Sequence, residues 1–144
     1  MPSIAYAANI IPNILREGDK IRIKGVIKDN AKEFSINFVN EICNNPEFIT
    51  YHFKWILDEQ VIVENYKDNG SWMDHMEQDY DDLDGSVFEL EFAFQDGVID
   101  VYKIYENAPN RITTYETYFD ISEIKALHVW GDVKKISELT FKYA

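Results

Sequence analysis

Cysteine is nearly missing from the sequence: Cys43 stands alone, so no intrachain disulfide can form and the chain suits a reducing compartment. Basic residues are scarce, with 14 Lys and Arg against 26 Asp and Glu and a formal net charge of -12. That balance excludes the basic footprint needed for nucleic acid or an anionic membrane surface. Neutral sugars are compatible with it, and it disfavours strongly anionic glycans. No apolar run reaches the ~20 residues of a membrane-spanning helix. The first twenty residues, MPSIAYAANIIPNILREGDK, lack a basic region, and Asn9, Pro12 and Asn13 interrupt the apolar run, which makes a poor signal peptide. His52, His75 and His128 are the only histidines, and no nucleophile motif accompanies them, so no catalytic constellation is expected. A metal held by His52 and His75 has no third ligand in prospect beyond Asp74 or Glu77. Neither a metal nor a cofactor is expected.

What is present is strand-forming. Aromatic residues make up 15% of the 144 residues, beside abundant Ile and Val, a composition that favours strands and suffices for one domain with a real core. Lys20 to Asp29 alternates, with Ile21, Ile23 and Ile27 on one face and Arg22, Lys24 and Lys28 on the other. Phe34, Ile36 and Phe38 face the core of the next strand. Gln78 to Gly85 reads as a solvated acidic connector. An EF-hand reading of it fails, because Tyr80 takes the obligatory first position and no helices flank it. Val87 to Gln95 turns Phe88, Leu90, Phe92 and Phe94 inward, and Asp96-Gly97 is a favoured hairpin turn. Val98 to Glu106 returns, Asn107 to Arg111 turns, and Thr113 to Phe119 forms another strand. Ile121 to Leu127 holds a short helical turn. Leu139, Phe141 and Tyr143 face inward in the last strand. Regular strands without a long helical pattern give an all-β antiparallel sandwich over 1–144.

The stretch from Phe48 to Glu77 organises the rest as three short strands. Alternation puts Phe48, Thr50, His52, Lys54 and Ile56 on one face of the first, with Ile49, Tyr51, Phe53 and Trp55 opposite. The second strand presents Val61, Val63 and Asn65, whereas Glu64 falls on the face of Ile62 and Tyr66. The turn Asp68 to Gly70 leads to Trp72, His75 and Glu77. Asn69-Gly70-Ser71 is formally a glycosylation acceptor, although the turn alone accounts for it. An imidazole, an amide and an indole side by side suit a polyhydroxylated ligand.

In order and spacing, His52-Phe53-Lys54-Trp55-Ile56, Val63-Glu64-Asn65 and Trp72-Met73-Asp74-His75-Met76-Glu77 resemble the sugar-binding motif of the galectins. His52, Asn65 and Trp72 match that motif. Lys54 stands where the family has Asn, Ile56 where it has Arg, His75 where it has Glu, and Glu77 where it has Arg. Ile11-Pro12 with Leu15 to Val26 is similar to the family's opening strand, with Phe34 to Phe38 as its partner. Ile124 to Val133 is similar to its penultimate strand with a Gly-Asp turn. The resemblance implies a jelly-roll sandwich of the galectin or legume-lectin kind, non-catalytic, with glycans bound on the concave sheet by His52, Lys54, Asn65, Trp72, His75 and Glu77. It implies that Trp72 stacks on a sugar ring and His52 meets a hydroxyl. The readings without a ligand are a core Trp72, an ordinary polar His52, and an Asn65 that orders the following turn. The missing Arg implies weakened or altered β-galactoside preference, offset by Lys54 in a swapped pair with Glu77; the alternative is a lectin fold acting through protein contacts. The resemblance also allows cytosolic residence, export without a signal peptide, and a homodimer through the terminal strands.

Overall fold

The computed structural model describes residues 4–10, 12–81 and 86–144, whose strands form two antiparallel sheets. The larger sheet has, in spatial order, β1 (Ile4–Asn9), β11 (Ala126–Gly131), β3 (Glu33–Val39), β4 (Ile49–Ile56) and β5 (Val61–Asp68). Two short strands, β6 (Ser71–Trp72) and β7 (Met76–Asp79), both pair with the outer edge of β5. The smaller sheet runs β10 (Ala108–Glu116), β9 (Val98–Tyr105), β8 (Val87–Gln95), β2 (Lys20–Ile27) and β12 (Val133–Lys142). A 3-10 turn at Ile121–Glu123, whose cap Asp120 accepts from the Ser122 N–H, leads into β11.

Period-two side chains from both sheets meet between them. Phe34 stacks on Phe88 with ring centroids 4.6 Å apart, Phe38 meets Phe92 edge-on at 4.9 Å, and Tyr51 meets Tyr115 at 4.6 Å. Ile21, Ile23, Leu90, Phe94, Leu127 and Val129 complete this core. Burying each such side chain is worth about 1.5–3 kcal/mol, so the sandwich rests on this layer. Gly25 marks its tightest point. A Cβ there would lie 2.6 Å from the Phe88 ring and 2.9 Å from the Lys135 carbonyl. Gly131-Asp132 ties the two sheets at one end. Gly131 has φ +98° with the Glu33 carbonyl beneath it, while the Asp132 carboxylate accepts from the Lys32 N–H at 2.9 Å. Those backbone N–H bonds hold the Asp132 carboxyl below its ordinary value.

Several expectations are corrected. β2 and β3 are not paired, since β2 lies in the smaller sheet and β3 in the larger. The chain between them, with Asn30 at φ 58°, crosses from sheet to sheet instead of closing a hairpin. Ile49 does not share the core face of Tyr51. Thr50 is the extra residue of a bulge, so Ile49 opposes Val39 and packs with Ala126 and Trp130 on the outer face. Gln78 and Asp79 are strand, because Val61 and Ile62 offer them a free edge. Asp82 to Gly85 lie outside the described residues. The turn after β9 is only Glu106-Asn107, both at positive φ, so Ala108 to Arg111 already pair in β10. Pro109 is tolerated there because β10 is an edge strand, and that strand ends at Glu116, short of Phe119. Tyr143 follows the end of β12 and is exposed, whereas Leu139 and Phe141 do pack against the core.

Candidate functional site

The outer face of the larger sheet carries the candidate site, and the register sets it out in rows. His128, Asn37, His52 and Asn65 lie directly across β11, β3, β4 and β5. One row away, toward the C-terminal end of β4, stand Trp130, Ser35, Lys54, Val63 and Glu77. On the other side of His52 the row of Val39, Ile49, Lys67 and Trp72 completes the face. A groove of about 560 Å³ runs across these rows, and its lining includes His52, Lys54, Lys67, Trp72, Trp130 and Ser35, together with Glu33, Asn44 and Asn45.

His52 sits at its centre and is fixed by Asn37. The Asn37 amide donates to Ser35 Oγ at 2.9 Å and to the His128 carbonyl at 3.3 Å, which leaves Oδ1 to accept from His52 Nδ1–H at 2.5 Å. That tautomer leaves Nε2 with a lone pair. Burial, then the charges of Lys54, Lys67 and His75, pull the imidazole down from 6.5 to about 3, so it is neutral across the physiological range. Its ring lies 4.5 Å from the Trp72 indole and 6.2 Å from Trp130. Trp72 is 44% exposed, which rules out the core reading, and Lys67 Nζ stands 5.3 Å from its ring centroid. Trp72 is held there by the two-residue turn Asn69-Gly70, whose φ values of 50° and 83° bring β6 back onto β5. Trp130 is buried, and its indole N–H has no hydrogen-bond partner among the described residues.

The other expected residues are engaged by neighbours of their own. Asn65 Oδ1 accepts from the Tyr66 N–H at 2.8 Å and the Asp74 N–H at 2.7 Å, so this side chain orders the loop after Trp72. Lys54 pairs with Glu33 at 3.2 Å, and Glu77 faces His75 at 3.4 Å; the swapped Lys54–Glu77 pair is not formed. His75 and Glu77 are exposed, and neither lines the groove; nor does Asn65. The groove thus unites His52, Lys54 and Trp72 of the expected set and leaves Asn65, His75 and Glu77 at its flank. Ser35, Asn37, Lys67 and Trp130 carry no role in the sequence reading. Alternation held the signal for three of them, since Ser35 and Asn37 fall between Phe34, Ile36 and Phe38, and Trp130 alternates with Val129. Glu64 follows its alternation into the core, where Tyr51 Oη donates to Oε2 and Thr113 Oγ1 to Oε1 at 2.9 Å. No cluster of three or more His, Cys, Asp or Glu side chains with metal-binding geometry occurs among the described residues.

A sandwich of this topology with a polar, aromatic groove on one outer face has the architecture of a galectin-type lectin. Sheep galectin-11 in complex with glycerol superposes with a TM-score of 0.79 at 19% identity, covering 98% of each chain. A human galectin-16 variant superposes at 0.81 with 20% identity over 100% of each chain. Galactose-binding lectin l-1 of Anguilla japonica is 21% identical over 127 residues, 86% of this chain and 87% of that protein. The profile of the galactoside-binding lectins matches residues 5–141, and the chain belongs to that family. Its members are non-catalytic carbohydrate-binding proteins.

Proposed function

We propose that the groove on the larger sheet binds a galactose-containing glycan, with a preference altered from that of an ordinary β-galactoside site. The single observation that carries this reading is the exposed Trp72 indole set 4.5 Å from the His52 imidazole. The apolar C–H face of a pyranose stacks on the indole, worth ~0.5–1.5 kcal/mol beyond area. A hydroxyl of the same ring donates to His52 Nε2. Lys54 and Ser35 supply further polar contacts. Ile56 supplies none where the family has a guanidinium, and Asn65 is committed to the loop.

That loss of a bidentate donor also favours a second reading, a lectin fold whose sugar site has lapsed and which acts through protein contacts. In either case one galectin-like unit spans the chain, residing in the cytosol, and its edge strand β12 offers a homodimer contact. Calorimetric titration with lactose, followed by a glycan array, separates the readings. Binding that Trp72→Ala abolishes supports the first; silence on lactose and across the array leaves the second.

A further inference from the structure

Trp72 is held on little backbone of its own. β6 pairs with β5 only at Asp68 to Ser71 and Lys67 to Trp72, and β7 resumes the ladder at Met76. The segment 73–75 spans the gap, with the Met73 N–H donating to the Tyr66 carbonyl at 3.1 Å. Asp74, at its middle, is held from two directions. Its N–H donates to Asn65 Oδ1 at 2.7 Å, and its carboxylate accepts from Tyr118 Oη at 2.9 Å. Tyr118 comes from the other half of the sandwich, just after β10. The chain there is anchored to the β8–β9 hairpin by the Thr117 N–H on the Gly97 carbonyl at 3.0 Å. The Tyr118 ring stacks on Tyr66 with centroids 4.2 Å apart and planes 16° from parallel, and Phe119 meets Tyr66 edge-on at 5.7 Å. The hydrogen bond to Asp74 is also the first cause that raises the Tyr118 phenol above its ordinary value. Tyr118 is 60% exposed and is not among the residues that line the groove. Core burial therefore does not account for this arrangement, and its consequence is local.

Resting on the proposed glycan reading, we infer that Tyr118 is a positioning residue: acting from the smaller sheet through Asp74, it fixes the 73–75 segment and with it the attitude of the Trp72 indole. The tyrosine touches no sugar. Without its hydroxyl, Asp74 keeps only the backbone link to Asn65, and the segment opens more often. Only the closed fraction presents the indole to a pyranose, so apparent affinity falls with that fraction. A net hydrogen bond of ordinary strength corresponds to about a fivefold change in the opening equilibrium.

The test compares wild type with Tyr118→Phe, which keeps the stacked ring and removes only the hydroxyl. Asp74→Ala, the Tyr118→Phe/Asp74→Ala double variant and Asp74→Asn are made alongside. Amide exchange at Met73 and Asp74 is followed by NMR, lactose binding by calorimetry, and folding by melting temperature. Tyr118→Phe should speed exchange at both amides about fivefold, as expected for a local opening, and weaken lactose binding about twofold or more, with the melting temperature unchanged. Asp74→Ala should do the same and the double variant no more, because the two side chains act as one link. Asp74→Asn, which still offers Tyr118 an acceptor oxygen, should restore both readouts. Unchanged exchange, additive losses in the double variant, or faster exchange with lactose affinity intact would each overturn the inference and leave the glycan reading standing. Silence of the wild type toward lactose and a glycan array overturns the glycan reading and, with it, the role of Tyr118 in binding.

Discussion

Neutral His52 is costly to protonate, and that cost is measurable as stability. A histidine held at about 3 in the fold and at 6.5 in the unfolded chain binds its proton preferentially in the unfolded state. Its contribution is complete above about pH 6.5 and is lost as pH falls toward the folded value. Linkage over those two values gives a loss of ~3 kcal/mol between pH 7 and pH 4 from this side chain alone. Against a typical total of about 5–15 kcal/mol, the effect is large.

His52→Asn isolates it. The shorter amide places a donor near the position of Nδ1, so Asn37 Oδ1 keeps a partner while the titrating ring is gone. Urea unfolding followed by tryptophan fluorescence at pH 7 and pH 4 should show wild type losing ~3 kcal/mol more than the variant. His128, also held below its ordinary value by burial, titrates in both proteins and cancels from the difference. Equal losses in the two proteins would refute the claim that the groove's central imidazole is buried and neutral.

The remaining expectations concern the groove's platform, the core carboxylate and the tightest glycine. Trp72→Ala should weaken glycan binding at least about tenfold, ~1.4 kcal/mol, by calorimetry with little change in melting temperature, because the ring is exposed. Burial raises the Glu64 carboxyl, so its contribution is complete below the ordinary carboxylate value and falls away as pH rises through the raised one. Glu64→Gln should therefore gain on wild type at pH 8 and match it near pH 4 in urea titrations. Glu64→Ala should instead lose roughly 2–6 kcal/mol by the same measurement, since two buried hydroxyls are left unmet at ~1–3 kcal/mol each. Gly25→Ala should cost about 1–3 kcal/mol through overpacking against Phe88 and the Lys135 carbonyl; an unchanged melting temperature would show that β12 simply moves aside.

Much of the fold was legible because one buried face imposes a strict period on a strand. Ile21 to Ile27, Phe34 to Phe38 and Phe88 to Phe94 all point as their alternation requires. Partnership was not legible, since the short link from β2 to β3 reads as a turn whether it closes a hairpin or crosses between sheets. Nor was the bulge at Thr50, which carries no unusual residue and exists only because Val39 meets Ile49 across the ladder. The Glu106-Asn107 turn was hidden by chemistry, as a glutamate at positive φ is an uncommon turn residue.

The same limit explains the site. Facing direction is a property of one strand and puts His52 and Lys54 on one face, while the position after the turn and the galectin resemblance bring in Trp72. A side chain's chemical state is instead a property of register. His52 Nε2 is left as a hydrogen-bond acceptor only because Asn37 fixes the ring's tautomer. Asn37 can do so only because Ser35 and the His128 carbonyl consume its amide hydrogens. The Asn37-to-His52 link crosses from one strand to the next, and His128 lies 91 residues from Asn37 in the chain. Asn65 shows the converse. Its motif position is kept, yet its oxygen is engaged by the Asp74 backbone, nine residues on. A motif can thus keep its letters while its hydrogen bonds are spent on the loop, and the groove is then lined by His52, Lys54, Lys67 and Trp72 without Asn65.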